Sequence, residues 1–155
     1  MIWTDDKIEE MLYREDLSIA LFSHRVGAFL IDILVISFLV VGFCLNFLSL
    51  PSETVEAEIF FIQKIIFLIF IFSFVYEVLF MKLFGATFGK IIFRLKVVLI
   101  QTLDKPNFKV ILQRCFIKVI EQMMCCVLFV FALDDKFLRT FHDRFNKTIV
   151  ISMRQ

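Results

Sequence analysis

The sequence predicts an all-α integral membrane protein. It should have two firm transmembrane helices, an amphipathic or re-entrant third helix, and a short pair of β-strands beside the bundle. Three observations predict this. Hydrophobic residues make up 60% of the 155 and mean hydropathy is +0.86, whereas soluble domains lie near roughly 45–50% apolar. Two apolar runs exceed the ~20 residues that a bilayer crossing needs. Charge is also segregated, acidic between the two runs and basic after the second.

The first element lies in an N-terminal segment, 1–22. Residues 4–19 read as an amphipathic helix, with Thr4 or Asp5 as cap and Asp6, Glu9 and Glu10 where the helix dipole favours anions. Ile8, Met11, Leu12 and Ile19 fall near one face. The helix is too charged to enter lipid, so it is expected beside the membrane or against another subunit. The segment lacks the basic-then-apolar order of an export signal.

Residues 23–152 form the membrane domain. The first span covers 26–50. The loop "PSETVEAE" follows, with Glu53, Glu56 and Glu58 and no Lys or Arg. The second span covers 59–81. Residues 82–118 then carry Lys82, Lys90, Arg94, Lys96, Lys105, Lys109, Arg114 and Lys118. The positive-inside rule places this segment in the cytoplasm. The chain is thus expected to be a multi-pass protein of the inner (cytoplasmic) membrane, with its N-terminus inside and the acidic loop outside.

"LKVVLIQTL" and "NKTIVIS" are rich in β-branched residues, and the first ends at the turn signal "DKPN". They are expected to pair on the cytoplasmic side. In the third helix, 108–133, Arg114, Lys118, Glu121 and Gln122 share one face, opposite Leu112, Phe116, Val119 and Met123. That pattern reads as interfacial. Only Met123 to Leu133 is continuously apolar, and those 11 residues reach ~16 Å, too short to cross. A basic tail with Lys136, Arg139, Arg144, Lys147 and Arg154 favours a cytoplasmic C-terminus.

A net charge of +1 and the lack of a basic, aromatic-interleaved soluble face argue against nucleic acid. The four cysteines, Cys44, Cys115, Cys125 and Cys126, form no C-x-x-C and read as buried thiols. "GATFGK" lacks the spacing of a nucleotide-binding P-loop. More simply, its glycines let the chain leave the second span and turn along the surface, where Lys90 meets a phosphate or carboxylate. No pattern asks for a cofactor or a resident metal.

The polar residues inside the spans carry the functional reading. A carboxylate in a membrane costs several kcal/mol unless it is paired or neutralised. Asp32 stands on a face with Arg25, Ala28, Val35, Leu39, Gly42 and Asn46, a mixture of small and polar residues that marks helix contact. The second span has Gln63, Phe70, Ser73 and Glu77 in line. Asp32 and Glu77 lie at similar depths from the basic side, so antiparallel spans would set them level. Two carboxylates that close hold a proton, an ion or a basic side chain between them. They form either a cation or proton site or a structural lock satisfied by Arg25, Lys82 or the tail. Asp143 is expected to clasp Arg25 or Lys90 beneath the bundle.

"SHRVGAFLID", "GATFGKIIFRLKVV" and "LRTFHDRFNKTIVI" together resemble, in order and spacing, three signatures of the RDD family of small membrane proteins. The naming residues would fall on Arg25, Asp32 and Asp143. Where the family continues His-Asp-Arg with Leu-Ala-Gly, this chain has Phe-Asn-Lys. The resemblance implies a small helical membrane domain, with transport the usual suggestion and cation/proton antiport proposed for members.

The leading expectation is therefore a transporter of a cation or proton, working as a homo-oligomer or with a partner membrane protein, because so few helices enclose little volume. Asp32 and Glu77 would bind the ion. Arg25, Asp143, Arg144 and Lys90 would gate or brace the site. Asn46, Gln63 and Ser73 would line the outer path. The rival is a non-catalytic assembly subunit of a larger complex, which the acidic N-terminal helix favours. No nucleophile and oxyanion partner come together, so an enzyme is not expected.

Overall fold

The computed structural model describes residues 5–48, 54–123 and 137–153. Helix α1 (Asp5–Arg14) leads into strand β1 (Ser18–Ile19) and then two long helices, α2 (Phe22–Phe47) and α3 (Val55–Phe84). A one-turn helix, α4 (Phe88–Ile92), precedes β2 (Leu95–Leu99). Helix α5 (Phe108–Met123), the short α6 (Phe141–Asn146) and β3 (Thr148–Ser152) complete the described elements. The chain is thus mainly helical, and both α2 and α3 are long and apolar enough to cross a membrane.

The spans begin earlier than their apolar runs suggest, and α3 runs ~45 Å, beyond the ~30 Å hydrocarbon thickness. In α2 the buried residues are Arg25, Ala28, Asp32, Ile36 and Val40. The expected face is followed as far as Asp32. It then turns to Ile36 and Val40, leaving Leu39 exposed. In α3 all the fully buried positions, Ser73, Tyr76, Glu77 and Met81, lie in the half near the basic end. The rest of both helices presents leucine, isoleucine and phenylalanine outward, as a lipid-facing surface does.

The expected strand pair forms: β2 and β3 run antiparallel, with Val97 opposite Val150. A third strand joins them, since β1 pairs with β3 and the order is β1-β3-β2. Both faces of this sheet are covered. Leu95, Val97 and Val150 pack with Ala28, Met81, Ile111 and Cys115 at the foot of the bundle. Val98, Ile149 and Ile151 pack with Ile8, Leu12 and Phe137 on the other side. Strands buried on both faces read as continuous apolar runs, which is why "TIVIS" does not alternate. The edge of β2 is occupied too, because the Val97 N–H donates to the Gly85 carbonyl at 3.2 Å.

One local expectation is corrected. The N-terminal helix stops at Arg14 rather than running to 19. Asp16 takes a left-handed φ of 49° and turns the chain into β1. The helix keeps its acidic Glu9 and Glu10 exposed. Its apolar side, Ile8 and Leu12, is buried in the chain's own sheet. Helix α5 keeps the two unlike faces expected of it, and the structure adds which way each points. Arg114 and Glu121 are buried, while Phe108, Phe116 and Ile120 are exposed. Its charged face points into the protein, where other side chains satisfy it. The portion of the third helix expected at 124–133 lies outside the described residues, as do Cys125 and Cys126.

Candidate functional site

The three signature segments converge beneath the two spans. Gly85 ends α3 in the left-handed conformation, φ 74°, and its N–H donates to the Met81 carbonyl at 3.0 Å. The chain can then fold back against α2. Gly89 of α4 lies so close that a Cβ there would collide with the Ala28 carbonyl and touch the Asp32 carboxylate. That contact sets the site's first feature. Asp32 accepts hydrogen bonds from the Tyr76 hydroxyl (2.7 Å), the Thr87 hydroxyl (2.6 Å) and the Gly89 N–H (2.8 Å). All three donors are neutral. Among the described residues no basic side chain bonds to Asp32, the role expected of Arg25 or Lys82.

The second feature is centred on Asp143. The Arg114 guanidinium donates to it through two nitrogens, at 2.8 and 3.1 Å. The hydroxyls of Thr140 (2.9 Å) and Thr148 (3.0 Å) add two further bonds. Arg25 lies at 3.7 Å and also donates to the carbonyls of Leu138 (2.6 Å) and Val150 (3.2 Å). The expected clasp between Asp143 and Arg25 is present but secondary; Arg114 is the closer partner, and no Asp143–Lys90 bond forms. Burial opposes ionisation of Asp143, but Arg114, with His142, Arg25 and Lys90 around it, holds its carboxyl far below the usual range.

Glu77 is held by Lys118 at 2.7 Å. Burial works against the Lys118 ammonium, yet Glu77 raises it above its ordinary value. Glu121 grips His142 twice, accepting its backbone N–H at 2.8 Å and lying 2.6 Å from the ring Nδ1. Burial nonetheless lowers the His142 imidazole, against the pull of Asp143 and Glu121. Lys90 is half-buried, and burial, reinforced by the Arg114 and Lys118 cations, lowers its ammonium to about 7. Buried Cys115 is a free thiol raised to about 12, so it stays protonated.

Two small cavities meet at this layer. One, about 40 Å³, lies among Arg25, Lys90, Arg114, Thr140, His142 and Asp143. The other, about 20 Å³, lies deeper between the spans, among Ile36, Ser73, Tyr76, Glu77 and Thr87. They share Phe29, Asp32 and Lys118, and the Lys118 ammonium sits over the Phe29 ring at 6.0 Å. Asp32 and Glu77 thus line one cavity, but each has its own partners, and among the described residues no side chain bonds to both. Ser73 lines that cavity too. Asn46 and Gln63, expected on the same path, are both exposed on the outside of the spans; Asn46 donates to the Gly42 carbonyl of its own helix. Arg144 is exposed at the end of α6 and stands outside the buried cluster. Among the described residues no group of three or more His, Cys, Asp or Glu side chains is placed to hold a metal.

Tyr76, Thr87 and Gly89 carry no charge and could not be singled out from sequence as Asp32's partners. Arg114, Lys118 and Glu121 did leave a signal, a charged face on an otherwise apolar helix. With the geometry in place the class of protein is clear: a small helical membrane protein with a buried charged layer at the basic end of its spans. The sequence profile of the RDD family matches residues 19–147, and this chain belongs to the RDD family. No curated protein and no solved structure matches it significantly.

Proposed function

We propose that the protein moves a proton or a small cation across the inner membrane, with Asp32 at the point of transfer. The observation that carries this is the pair of cavities meeting at Asp32 and Lys118. At ~10–15 Å³ per water position, they hold roughly three waters and one. That room suits a proton relay or one small ion, not a metabolite. Asp32 supports the reading because its donors are all neutral, so its charge is solvated without being cancelled by a direct ion pair. Glu77, across the deeper cavity, is the next carboxylate along, and Ser73 stands beside it.

In this reading the basic end faces the cytoplasm, N-terminus included, as the positive-inside rule expects. Arg25 and Asp143 brace the cytoplasmic mouth, and Lys90 tunes it. The spans bury no residue beyond Val40 and Ser73 toward the acidic end, so a further copy or a partner membrane protein completes the outer half. The protein works as a carrier rather than an enzyme. The rival reading, an assembly subunit, would rest on the exposed acidic side of α1, Glu9 and Glu10, since its apolar side is built into the chain's own sheet.

The test is gradient-driven proton movement in proteoliposomes, comparing wild type, Asp32→Asn and Tyr76→Phe, each first shown to be monodisperse. Tyr76→Phe removes a bond from the same carboxylate but keeps its charge. Flux lost in Asp32→Asn and retained in Tyr76→Phe supports the proposal. Absence of flux from well-folded wild type under every imposed proton, sodium or potassium gradient sinks it.

A further inference from the structure

The larger cavity has a charge pattern that proton or cation transfer does not use. Four cationic side chains line it, Arg25, Lys90, Arg114 and Lys118, against two carboxylates, Asp32 and Asp143. The cations are not equally occupied. Arg25 and Arg114 serve Asp143, and Lys118 serves Glu77. The Lys90 ammonium has no hydrogen-bond or ion-pair partner among the described residues, and it comes from α4, which also delivers Gly89 to Asp32. One Arg114 nitrogen meets only the Met81 sulfur, at 3.8 Å. A half-buried ammonium with no direct ion-pair partner beside an under-used guanidinium is a poor arrangement for stability alone.

We propose that this cavity binds a phosphate-type oxyanion, with Lys90 as its principal ligand and Arg114 as support. The volume fits. About 40 Å³ corresponds to roughly three water-sized positions, as many as the terminal oxygens of one phosphoryl group. Amine and guanidinium donors converging on one space are the chemistry that holds phosphate. The group is either free phosphate or the head of a phosphomonoester lipid, since the cavity lies where the spans end. An anion there would favour the protonated Lys90, so its uptake would bring a proton into the layer that holds Asp32. The inference concerns the same cavity as the transport reading but rests on equilibrium binding, so either can fail alone.

The test uses the full chain, delipidated and placed in zwitterionic nanodiscs. Calorimetric titration with inorganic phosphate, at constant ionic strength set by chloride, is compared for wild type, Lys90→Gln and Lys90→Arg. Saturable binding that weakens about tenfold or more in Lys90→Gln and is restored in Lys90→Arg supports a free-phosphate site. If free phosphate gives no heat, vesicles with and without phosphatidic acid supply the second arm. Phosphatidic acid retained by wild type and lost from Lys90→Gln, read by mass spectrometry, assigns the same site to a headgroup. Because Lys90 has no partner to lose, Lys90→Gln should melt no lower than wild type without ligand, which separates lost binding from lost fold. Equal binding by wild type and Lys90→Gln, or none of either anion by wild type, overturns the proposal. Proton flux measured in parallel reports on the transport reading separately.

Discussion

The backbone N–H of Gly89 donates to the Asp32 carboxylate at 2.8 Å, joining residues 57 positions apart. The bond exists only because residue 89 has no side chain, for a Cβ there would run into the Ala28 carbonyl. A backbone carbonyl cannot swing aside as a side chain can. Gly89→Ala should therefore push α4 off α2 and cost about 1–3 kcal/mol, lowering the melting temperature in detergent. An unchanged melting temperature would mean that the two segments are not packed this closely.

Asp143 supports two buried arginines at once. Asp143→Asn keeps the shape but leaves Arg25 and Arg114 without their carboxylate, a loss of about 3–5 kcal/mol for a broken buried pair. Asp143→Asn combined with Arg114→Met should be less damaging than the two single losses added together. Strict additivity in thermal unfolding would show that the pair is not coupled.

Lys90 gives the layer a defined response to pH. It titrates near 7 in the fold against 10.5 ordinarily. Between those values the unfolded chain binds the extra proton, so stability rises with pH from about 7 upward. His142 is also lowered, but its loss is confined to pH below the ordinary histidine value near 6.5. Lys90→Met should therefore be more stable than wild type at pH 7, with the gap closing by pH 10. Parallel melting profiles across that interval would count against the assignment.

Lys147 has a left-handed φ of 51°, where the family's Leu-Ala-Gly places its glycine. A residue with a Cβ is strained there by roughly 1–2 kcal/mol. Lys147→Gly should recover part of this, about 1 kcal/mol net of the entropy that glycine adds to the unfolded chain. A lower melting temperature would instead give the lysine side chain a role of its own.

Helix α1 makes its own prediction. Ile8 is 2% exposed, packed between the sheet and Phe137. Ile8→Ala should cost about 2–5 kcal/mol. A helix reserved for an outside partner would show no such loss in the isolated protein.

The sequence was legible where the physics is local and repetitive. Both spans stood out because lipid demands a long apolar run, and β2 and β3 because β-branched residues crowd two short segments. The shared depth of Asp32 and Glu77 followed from counting along antiparallel helices. What could not be read was choice of partner. Asp32 finds neutral donors 44, 55 and 57 residues away, and nothing in a tyrosine, a threonine or a glycine announces that. The charged face of α5 was visible, but its direction was not, since periodicity marks a face without saying whether water or a buried carboxylate meets it. Strand β1 is two residues long, too short for any alternation. Asn46 and Gln63 share a helical line with buried residues, yet both are exposed, because contact between the spans at that level runs through Phe43 and Phe72 instead.

The strand order has a consequence for how the molecule is made. The middle strand of the sheet, β3, is the last of the three in chain order. While the ribosome is still translating the segment before it, β1 and β2 have no neighbour to pair with, and the Thr148 hydroxyl that caps Asp143 does not yet exist. The two spans can be inserted early and Asp32 can already meet Tyr76, Thr87 and Gly89, but the Asp143 side of the charged layer stays open until β3 slides between its neighbours. Biogenesis therefore leaves an interval in which Arg25 and Arg114 are accessible to water or to an insertion factor, until Asp143 and Val150 arrive to receive them.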